Sequence, residues 1–185
     1  MIFNGTLSGQ FVDLRMATEA DAEFIIQLRQ REEVVKYMHS VGTSIENQVQ
    51  WIKDHQLIDG DIYFLIWSKG GRRIGTVSLY NKRNDRCEIG RLASIGNAAE
   101  NVEAFLLAFD YAFNELKYNY LDGTVAPDNI SMKSLANKFG IVHDKEICNI
   151  DGLQLQHGCA KKADYFAKRP KIIELLETIN KLSCN

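Results

Sequence analysis

The stretch CEIGRLASIGNAAENVEAFLLAFDYAFNEL, residues 87–116, joins a short strand to one long amphipathic helix through a loop of small residues. The strand is predicted at 87–93. In the helix, apolar side chains recur at spacings of three and four residues and form one stripe, made of Val102, Phe105, Leu106, Phe109, Phe113 and Leu116. Such a stripe packs against a sheet, so this segment predicts a strand-loop-helix unit of an α/β protein.

The start of this helix has the residues of an anion site. Asn97 can accept a backbone hydrogen bond as the N-cap, and Glu100, three residues later, completes a capping box. Gly96, Ala98 and Ala99 are small and leave backbone N–H groups open to a ligand. Unpaired amides and the positive end of the helix dipole favour a phosphate. The same pattern also begins an αβ unit that binds nothing, and the sequence alone leaves both interpretations open.

The rest of the chain alternates between predicted strands and helices, with no linker and no repeat. Apolar periodicity, cap residues and turn dipeptides set the limits of these elements. Strands are predicted at 11–15, 63–67, 73–80, 87–93, 120–126, 145–150 and 153–159, and helices at 19–31, from 44 through 52, 97–116, 128–138 and from 170 onward. Antiparallel hairpins come first, a βαβ crossover follows, and a hairpin comes last. This order predicts a mixed α/β sheet, mostly antiparallel, with flanking helices.

Length and composition indicate one domain. A chain of 185 residues buries about 70% of its unfolded surface in a single core, and we treat 1–185 as one domain with a C-terminal helix at 170–183. The 22 basic and 24 acidic residues are scattered, so we expect no nucleic-acid partner. The apolar runs are far shorter than the 18 or so residues that span a bilayer, and residues 1–10 lack a signal-peptide pattern. We therefore expect a cytoplasmic protein with no membrane partner.

The cysteines show no pattern of a disulfide framework or a metal site. Cys87, Cys148, Cys159 and Cys184 form no CxxC motif, and no histidine lies at metal-ligand spacing from them. We expect reduced, mostly buried thiols and no bound metal.

Seven short motifs follow one another in the order typical of one enzyme family. They are Leu14-Arg15 with Thr18-Glu19-Ala20-Asp21, Leu28-Arg29, Gln50-Trp51-Ile52, Ile74-Gly75-Thr76-Val77, Glu88-Ile89-Gly90, Asp110-Tyr111-Ala112-Phe113, and Asp128-Asn129 with Lys138-Phe139-Gly140. Their order and intervals resemble those of GCN5-related N-acetyltransferases, especially the branch of ribosomal-protein and amino-sugar acetyltransferases. The resemblance covers nearly the whole chain, and it rests on the ordered set because no single motif is decisive.

This resemblance implies two substrates and a place for each. The donor implied is acetyl-CoA, and the acceptor is a small-molecule or peptide amine: an amino-sugar nucleotide, whose branch has a similar layout with Tyr165 and a C-terminal helix, or the α-amino group of a protein. A parallel pair of strands is expected to splay into a V-shaped opening, between the strand that holds Glu88 and the strand that ends at Ala126. The protein is expected to be a monomer or a homodimer.

The resemblance also assigns residues to the donor. The pantetheine arm is expected along the backbone at Leu92, Ala93 and Ser94. The pyrophosphate is expected on the helix start, at Asn97, Ala98, Ala99, Asn101 and Val102.

Two positions depart from the family pattern. The family's phosphate loop aligns with residues 96–101, which lack the leading basic residue and both later glycines. Backbone amides still supply N–H donors there, but Glu100 brings a carboxylate close to the anion and weakens the expected affinity for CoA. Where many members have a tyrosine that protonates the departing thiolate, this chain has Ala136. Because a thiol has a pKa of about 8.5, water can supply that proton, yet a catalytically degenerate acyl-CoA-binding or regulatory protein is an alternative function.

The acetyl transfer implied here needs a neutral amine, a polarised carbonyl and a route for a proton. Backbone N–H groups near a bulge in the Glu88 strand are expected to polarise the carbonyl. Glu88 is the candidate base, acting through water, because it lies just before the point where its strand is expected to open. Pairing with Arg86 or Arg91 is the structural alternative for Glu88.

Three further side chains are candidates for the site. Asn129 is expected to hold a water or the pantetheine amide, or else only to cap its helix. Ser131 either replaces the missing tyrosine or is an exposed serine with no role. Arg29 matches the acceptor-side arginine of the family, and it either contacts a substrate anion or pairs with a loop carboxylate.

Overall fold

The computed structural model describes residues 3–39 and 41–183, and within that part of the chain nine strands and six α-helices alternate. The strands are β1 (Thr6–Ser8), β2 (Val12–Met16), β3 (Ile62–Ser68), β4 (Arg73–Arg83), β5 (Arg86–Ser94), β6 (Tyr120–Val125), β7 (Val142–His143), β8 (Cys148–Ile150) and β9 (Leu153–Lys161). The helices are α1 (Ala22–Arg29), α2 (Glu32–Val35), α3 (Ile45–Gln56), α4 (Ala98–Asp110), α5 (Ile130–Lys138) and α6 (Lys162–Ser183). A short 3₁₀ turn, Glu19–Asp21, precedes α1, and a π-helical turn, Tyr111–Glu115, extends α4.

The strands form one mixed sheet in the order β1-β2-β3-β4-β5-β6-β9-β7, with β8 paired to β9. Every neighbouring pair is antiparallel except β5 and β6, which run parallel. The parallel ladder joins Arg86, Cys87 and Glu88 to residues 120–122 and then stops, although both strands continue. The predicted fold class, a mostly antiparallel sheet with a splayed parallel pair, is therefore confirmed.

Helices cover both faces of the sheet. Alternate residues of β3 show this, because Phe64 packs in a core with α4, α5 and α6, whereas Tyr63 and Leu65 pack in a second core with α1 and α3. A strand covered on both faces is buried along nearly all of its length, which explains the unbroken apolar run of β3.

A buried carboxylate links α4 to the N-terminal ribbon, which is the antiparallel pair β1–β2 with its turn at residues 9–11. Glu103 is only 4% exposed, and its carboxylate accepts the backbone N–H groups of Gln10, Phe11 and Val12 at 2.7, 2.6 and 2.8 Å. A Cβ atom at Gly9 would overlap this carboxylate, so the ribbon approaches α4 as closely as the backbone allows. These bonds fix the position of α4 relative to β2.

Two predicted helices have different limits in the structure. The helix expected at 19–31 divides into the 3₁₀ turn, α1 and, after a break, α2. The C-terminal helix begins at Lys162 rather than at Pro170, because the turns before the proline are held by tertiary contacts. Tyr165 is buried in the core, and Arg169 donates to the Asp110 carboxylate at 2.6 and 2.7 Å. These contacts offset the cost of a proline inside a helix, roughly 3 kcal/mol. Tyr165 is thus a core residue of the C-terminal helix.

The prediction of mostly buried thiols is correct for some cysteines and wrong for another. Cys87 is buried, Cys159 is partly buried, and Cys148 is exposed on β8, while Cys184 lies outside the described residues. In residues 3–39 and 41–183, no helix is long and apolar enough to cross a membrane. The same residues contain no cluster of three or more His, Cys, Asp or Glu side chains placed to hold a metal ion.

Candidate active site

The sheet opens beside a β-bulge in β5. Pairing of β4 with β5 shifts from Thr76 opposite Ala93 to Ser78 opposite Gly90, which leaves Arg91 and Leu92 facing one residue of β4. The bulge follows the last rung of the parallel ladder at Glu88. A bulge bends its strand and increases the local twist, so β5 turns away from β6. The bulge expected in this strand is present, and it lies at the opening.

Arg91 takes a rare conformation at this bulge. Its φ of 50° is in the left-handed region, which costs a non-glycine residue about 1–2 kcal/mol. Three contacts hold it there. The Thr76 hydroxyl donates to the Arg91 carbonyl oxygen at 2.9 Å, and Arg91 Nη1 donates to the buried Asp61 carboxylate at 3.0 Å. The guanidinium also lies 4.2 Å from the ring centroid of Tyr80.

A cavity of about 380 Å³ lies on one side of the opening, between the end of β5, the start of α4 and one face of α5. We call it the α4–α5 cavity. It is lined by Leu92, Ser94, Ala98, Asn101, Val102, Asn129, Ser131, Met132, Ser134, Leu135 and Lys138. The α5 residues 131, 134, 135 and 138 share one helix face, because they lie three, four and seven positions apart. The cavity therefore has rigid walls on two helices and a strand.

The helix start that borders this cavity is partly closed by its own cap. The predicted capping box is present: Asn97 Oδ1 accepts the Glu100 N–H at 3.0 Å, and Glu100 Oε2 accepts the Asn97 N–H at 2.8 Å. The amides of Ala98 and Ala99 are the first two of the helix and have no intrahelical acceptor. An anion bound at this end of α4 can therefore use two backbone N–H groups, those of Ala98 and Ala99. This is fewer than the sequence predicted.

Asn101 lines the same cavity and has an unsatisfied acceptor. Its Nδ2 donates to the Gly96 carbonyl at 3.1 Å, whereas its buried Oδ1 has no partner among the described residues. An unpaired buried acceptor is costly, and a ligand N–H would satisfy it. The two amide groups of a pantetheine arm have that chemistry, so this side chain fits acetyl-CoA.

Asn129 both caps α5 and lines the α4–α5 cavity. Its Oδ1 accepts the Met132 N–H at 3.0 Å, and its Nδ2 donates to no described residue. Ser131 follows in the first turn, exposed and in the cavity lining. Ala136, in contrast, is 1% exposed in the core with Phe139. The position of the family's tyrosine thus points away from the cavity.

Glu88 lies at the last rung of the parallel ladder, where the opening begins. Its Oε1 is 3.7 Å from Nη2 of Arg83, a long contact with a mostly exposed partner. Arg86 instead binds Asp122, and Arg91 binds Asp61, so neither arginine proposed as its structural partner pairs with Glu88. The carboxylate is left without a close ion pair.

Two neighbours determine the electrostatics around Glu88. Burial and the Glu88 carboxylate raise the pKa of Tyr80, which is opposite it on β4, to about 12. Asp122, opposite Glu88 on β6, is 1% exposed and accepts from Arg83 at 3.1 Å and from Arg86 at 3.2 Å. The negative charge of the Asp122 carboxylate is thus balanced by two guanidiniums. Tyr80 stays protonated at ordinary pH.

A second cavity, of about 290 Å³, lies on the other face of the sheet. We call it the α1–α3 cavity, and it is lined by Ile25, Arg29, Val41, Gly42, Ser44, Asn47, Gln48, Trp51 and Tyr63. Arg29 Nη2 donates to the His39 carbonyl at 2.6 Å, while its buried Nε has no described partner. Burial lowers the pKa of Arg29 and raises that of Tyr63. No carboxylate lines this cavity, and the ion pair with a loop carboxylate considered for Arg29 is not formed within the described residues.

The structure brings together most of the sequence-predicted site residues, but not all. Ala93 points to the opposite face and packs with Leu28 and Val34, and Ala99 is buried in the main core. The Asn97 side chain accepts the Glu100 N–H as the cap of α4. Glu88 lines neither cavity and lies at the opening.

The sequence did not predict the α5 wall of the α4–α5 cavity or most of the wall of the α1–α3 cavity. Ser134, Leu135 and Lys138 lie on the helix face that contains Ser131, and that spacing was a usable signal. Asn47 and Gln48 gave no signal, because the α1–α3 cavity depends on how α3 docks.

Comparison with protein families gives one match, in which the acetyltransferase (GNAT) domain model covers residues 12–142. A search of curated proteins gives no significant match.

Several solved structures share the fold. Apo FdhC, a nucleotide-linked sugar GNAT, is 25% identical with a TM-score of 0.79, over 94% of this chain and 99% of that one. A GCN5-related N-acetyltransferase from Brucella melitensis is 16% identical with a TM-score of 0.78, over 94% of this chain and 86% of that one. Mutant forms of the spermidine/spermine N-acetyltransferase SpeG from Vibrio cholerae are 16% identical with a TM-score of 0.71, over 85% of this chain and 98% of that one.

Proposed function

Because the chain belongs to the GNAT acetyltransferase family, we propose that it transfers the acetyl group of acetyl-CoA to a primary amine at the opening between β5 and β6. One observation carries this proposal. The α4–α5 cavity lies on one face of the sheet at the end of β5. On the other face, the Arg91 guanidinium at the bulge lies 5.1 Å from the ring centroid of Trp51, which lines the α1–α3 cavity. A donor and an acceptor that enter from opposite faces meet there, which supplies the proximity that a transfer between two substrates needs.

The α4–α5 cavity is the proposed donor site. Asn101 Oδ1 and Asn129 Nδ2 offer one acceptor and one donor to the pantetheine amides. The amides of Ala98 and Ala99 face the diphosphate. Leu92 and Ser94 line the path toward the bulge.

Glu88 is the proposed base. The amine nitrogen attacks the thioester carbon, the C–S bond breaks, and CoA leaves as a thiolate. Glu88 takes the proton of the amine through a water molecule, and because Ala136 is buried, the thiolate receives its proton from solvent or through Ser131. Backbone N–H groups at the bulge supply the positive dipoles that polarise the carbonyl.

The proposed acceptor is an amine carried on an anionic molecule, such as a nucleotide-linked amino sugar. Within the described part of the chain, the lining of the α1–α3 cavity includes Arg29, whose Nε is unpaired, and no carboxylate. A polyamine would meet the Arg29 cation there and be repelled. A phosphate or carboxylate would instead accept a hydrogen bond from the Arg29 guanidinium. The likeness to FdhC supports the same class. The other acceptor that the family resemblance implies is the α-amino group of a protein.

The test is release of CoA thiol from acetyl-CoA with nucleotide-linked amino sugars, peptides and spermidine as acceptors. We expect turnover with the anionic acceptors and none with spermidine. Arg29→Gln should raise the acceptor KM at least tenfold, and Arg31→Gln, an exposed arginine paired with Glu33, is the matched control.

Binding of acetyl-CoA without turnover would favour the alternative function, a catalytically degenerate acyl-CoA-binding or regulatory protein. If acetyl-CoA raises the melting temperature and no amine is acetylated, the protein has kept the donor site and lost the reaction. If CoA causes no shift at all, the donor assignment is wrong. Cytoplasmic localisation and a monomeric or homodimeric state remain predictions, and size-exclusion chromatography checks the latter.

A further inference from the structure

Among the residues that the structure describes, Lys138 is the one charged side chain in the lining of the α4–α5 cavity. It is exposed at the last position of α5, and it forms no hydrogen bond or ion pair with the described residues. Its neighbour on the same helix, Lys133, differs in both respects, because it donates to Gln156 at 2.7 Å and lies outside the cavity lining.

Across the cavity, the start of α4 lacks a cation. The loop 96–101 has no basic residue, and its one charged side chain, Glu100, is negative. The capping box removes two amides from use, so Ala98 and Ala99 are left as donors. By themselves, two amides beside a carboxylate make a weak site for a group with two or more negative charges.

We propose that Lys138 supplies, from the opposite wall of the cavity, the positive charge that binds the phosphates of the donor. This inference rests on the proposed function, since it assumes acetyl-CoA in the α4–α5 cavity. Lys138 shares a helix face with Ser131, Ser134 and Leu135, so α5 holds its Cα in a fixed place while its long side chain adapts to the anion.

The experiment compares Lys138→Ala, Lys138→Glu and the control Lys133→Ala with wild type by calorimetric binding. The probes are CoA, 3′-dephospho-CoA and pantetheine, which carry progressively fewer phosphates. We expect Lys138→Ala to weaken CoA binding about two- to fivefold and Lys138→Glu to weaken it more. Lys133→Ala removes the same charge from the same helix and should leave the affinity unchanged.

The phosphate-free probe identifies the partner of Lys138. Pantetheine should bind wild type and the Lys138 variants equally, and the difference for CoA should shrink at 0.5 M NaCl because exposed charges are screened. A loss with CoA but not with 3′-dephospho-CoA assigns Lys138 to the 3′-phosphate, and a loss with both assigns it to the diphosphate.

Two failures are distinguishable. If wild type binds CoA and both Lys138 variants bind it equally well, this inference is wrong and the donor site stands. If wild type binds none of the probes, the proposed function itself is wrong. Circular dichroism of each variant checks that α5 is intact.

Discussion

Asn129 offers the sharpest test of the donor site, because the two ends of its amide have different tasks. Oδ1 caps α5 through one hydrogen bond to Met132, and Nδ2 is free to contact a ligand. Asn129→Ala removes both, whereas Asn129→Ser keeps a cap acceptor and replaces the Nδ2 donor with the hydroxyl of a shorter side chain. We expect the alanine variant to lose about 1 kcal/mol of unfolding free energy, and the serine variant to lose less than about 0.5 kcal/mol.

Both variants should lose about tenfold in kcat/KM, which corresponds to about 1.4 kcal/mol of transition-state stabilisation. Urea unfolding and CoA release, normalised to folded protein, measure the two effects separately. Asn149→Ala is the matched control, since Asn149 makes a similar 3.0 Å bond to the backbone of Gly152 in a turn that lines neither cavity. Full activity in Asn129→Ser would refute the donor role and leave Asn129 as a cap alone.

Three other predictions concern single positions. Glu88→Gln should fold normally, because its contact with Arg83 is long, and should lower kcat/KM most at pH values below the amine pKa; unchanged activity from about pH 6 to 9 would make the carboxylate structural. Ala136→Tyr should destabilise the protein by about 1–3 kcal/mol rather than raise activity, because this side chain is buried in the core, and urea unfolding with no change would contradict that placement. Burial raises the pKa of Cys87 from 9.0 to about 12 and that of Tyr80 from 10.0 to about 12. Above about pH 9 the unfolded chain therefore binds fewer protons than the native one, and the unfolding free energy should fall as pH rises toward 12. Cys87→Ala should flatten the first part of that slope, and equal slopes in the variant and wild type would exclude Cys87 as its source.

Local sequence signals predicted the parts of the fold that local interactions determine. The cap at Asn97 and the stripe on α4 depend on neighbouring residues, and the structure contains both. The bulge in β5 was expected from the family resemblance rather than from a local signal, and it is also present. The start of α6 was misplaced because Pro170 is a strong local stop signal, and it is overridden by Asp110, far away in the sequence.

The candidate site divides in the same way. The helix-start pattern and the family resemblance identified one side of the α4–α5 cavity, but they could not show that Ala99 and Ala136 turn inward. That depends on the rotation of each helix against the sheet, which packing decides. The sequence analysis placed Lys138 at a helix end and in the Lys138-Phe139-Gly140 motif and gave it no role in the site, because its position in the cavity lining depends on how α5 packs.

The hydrogen bonds that Glu103 accepts make the N-terminal ribbon a reporter of the state of α4. The amide hydrogens of Gln10, Phe11 and Val12 are held by one carboxylate on α4, so exchange of all three with deuterium requires the same event, the withdrawal of Glu103. These residues line neither cavity. Their exchange rates nevertheless report on α4, so that a ligand which steadies the first turn of that helix would slow exchange in a segment it never touches.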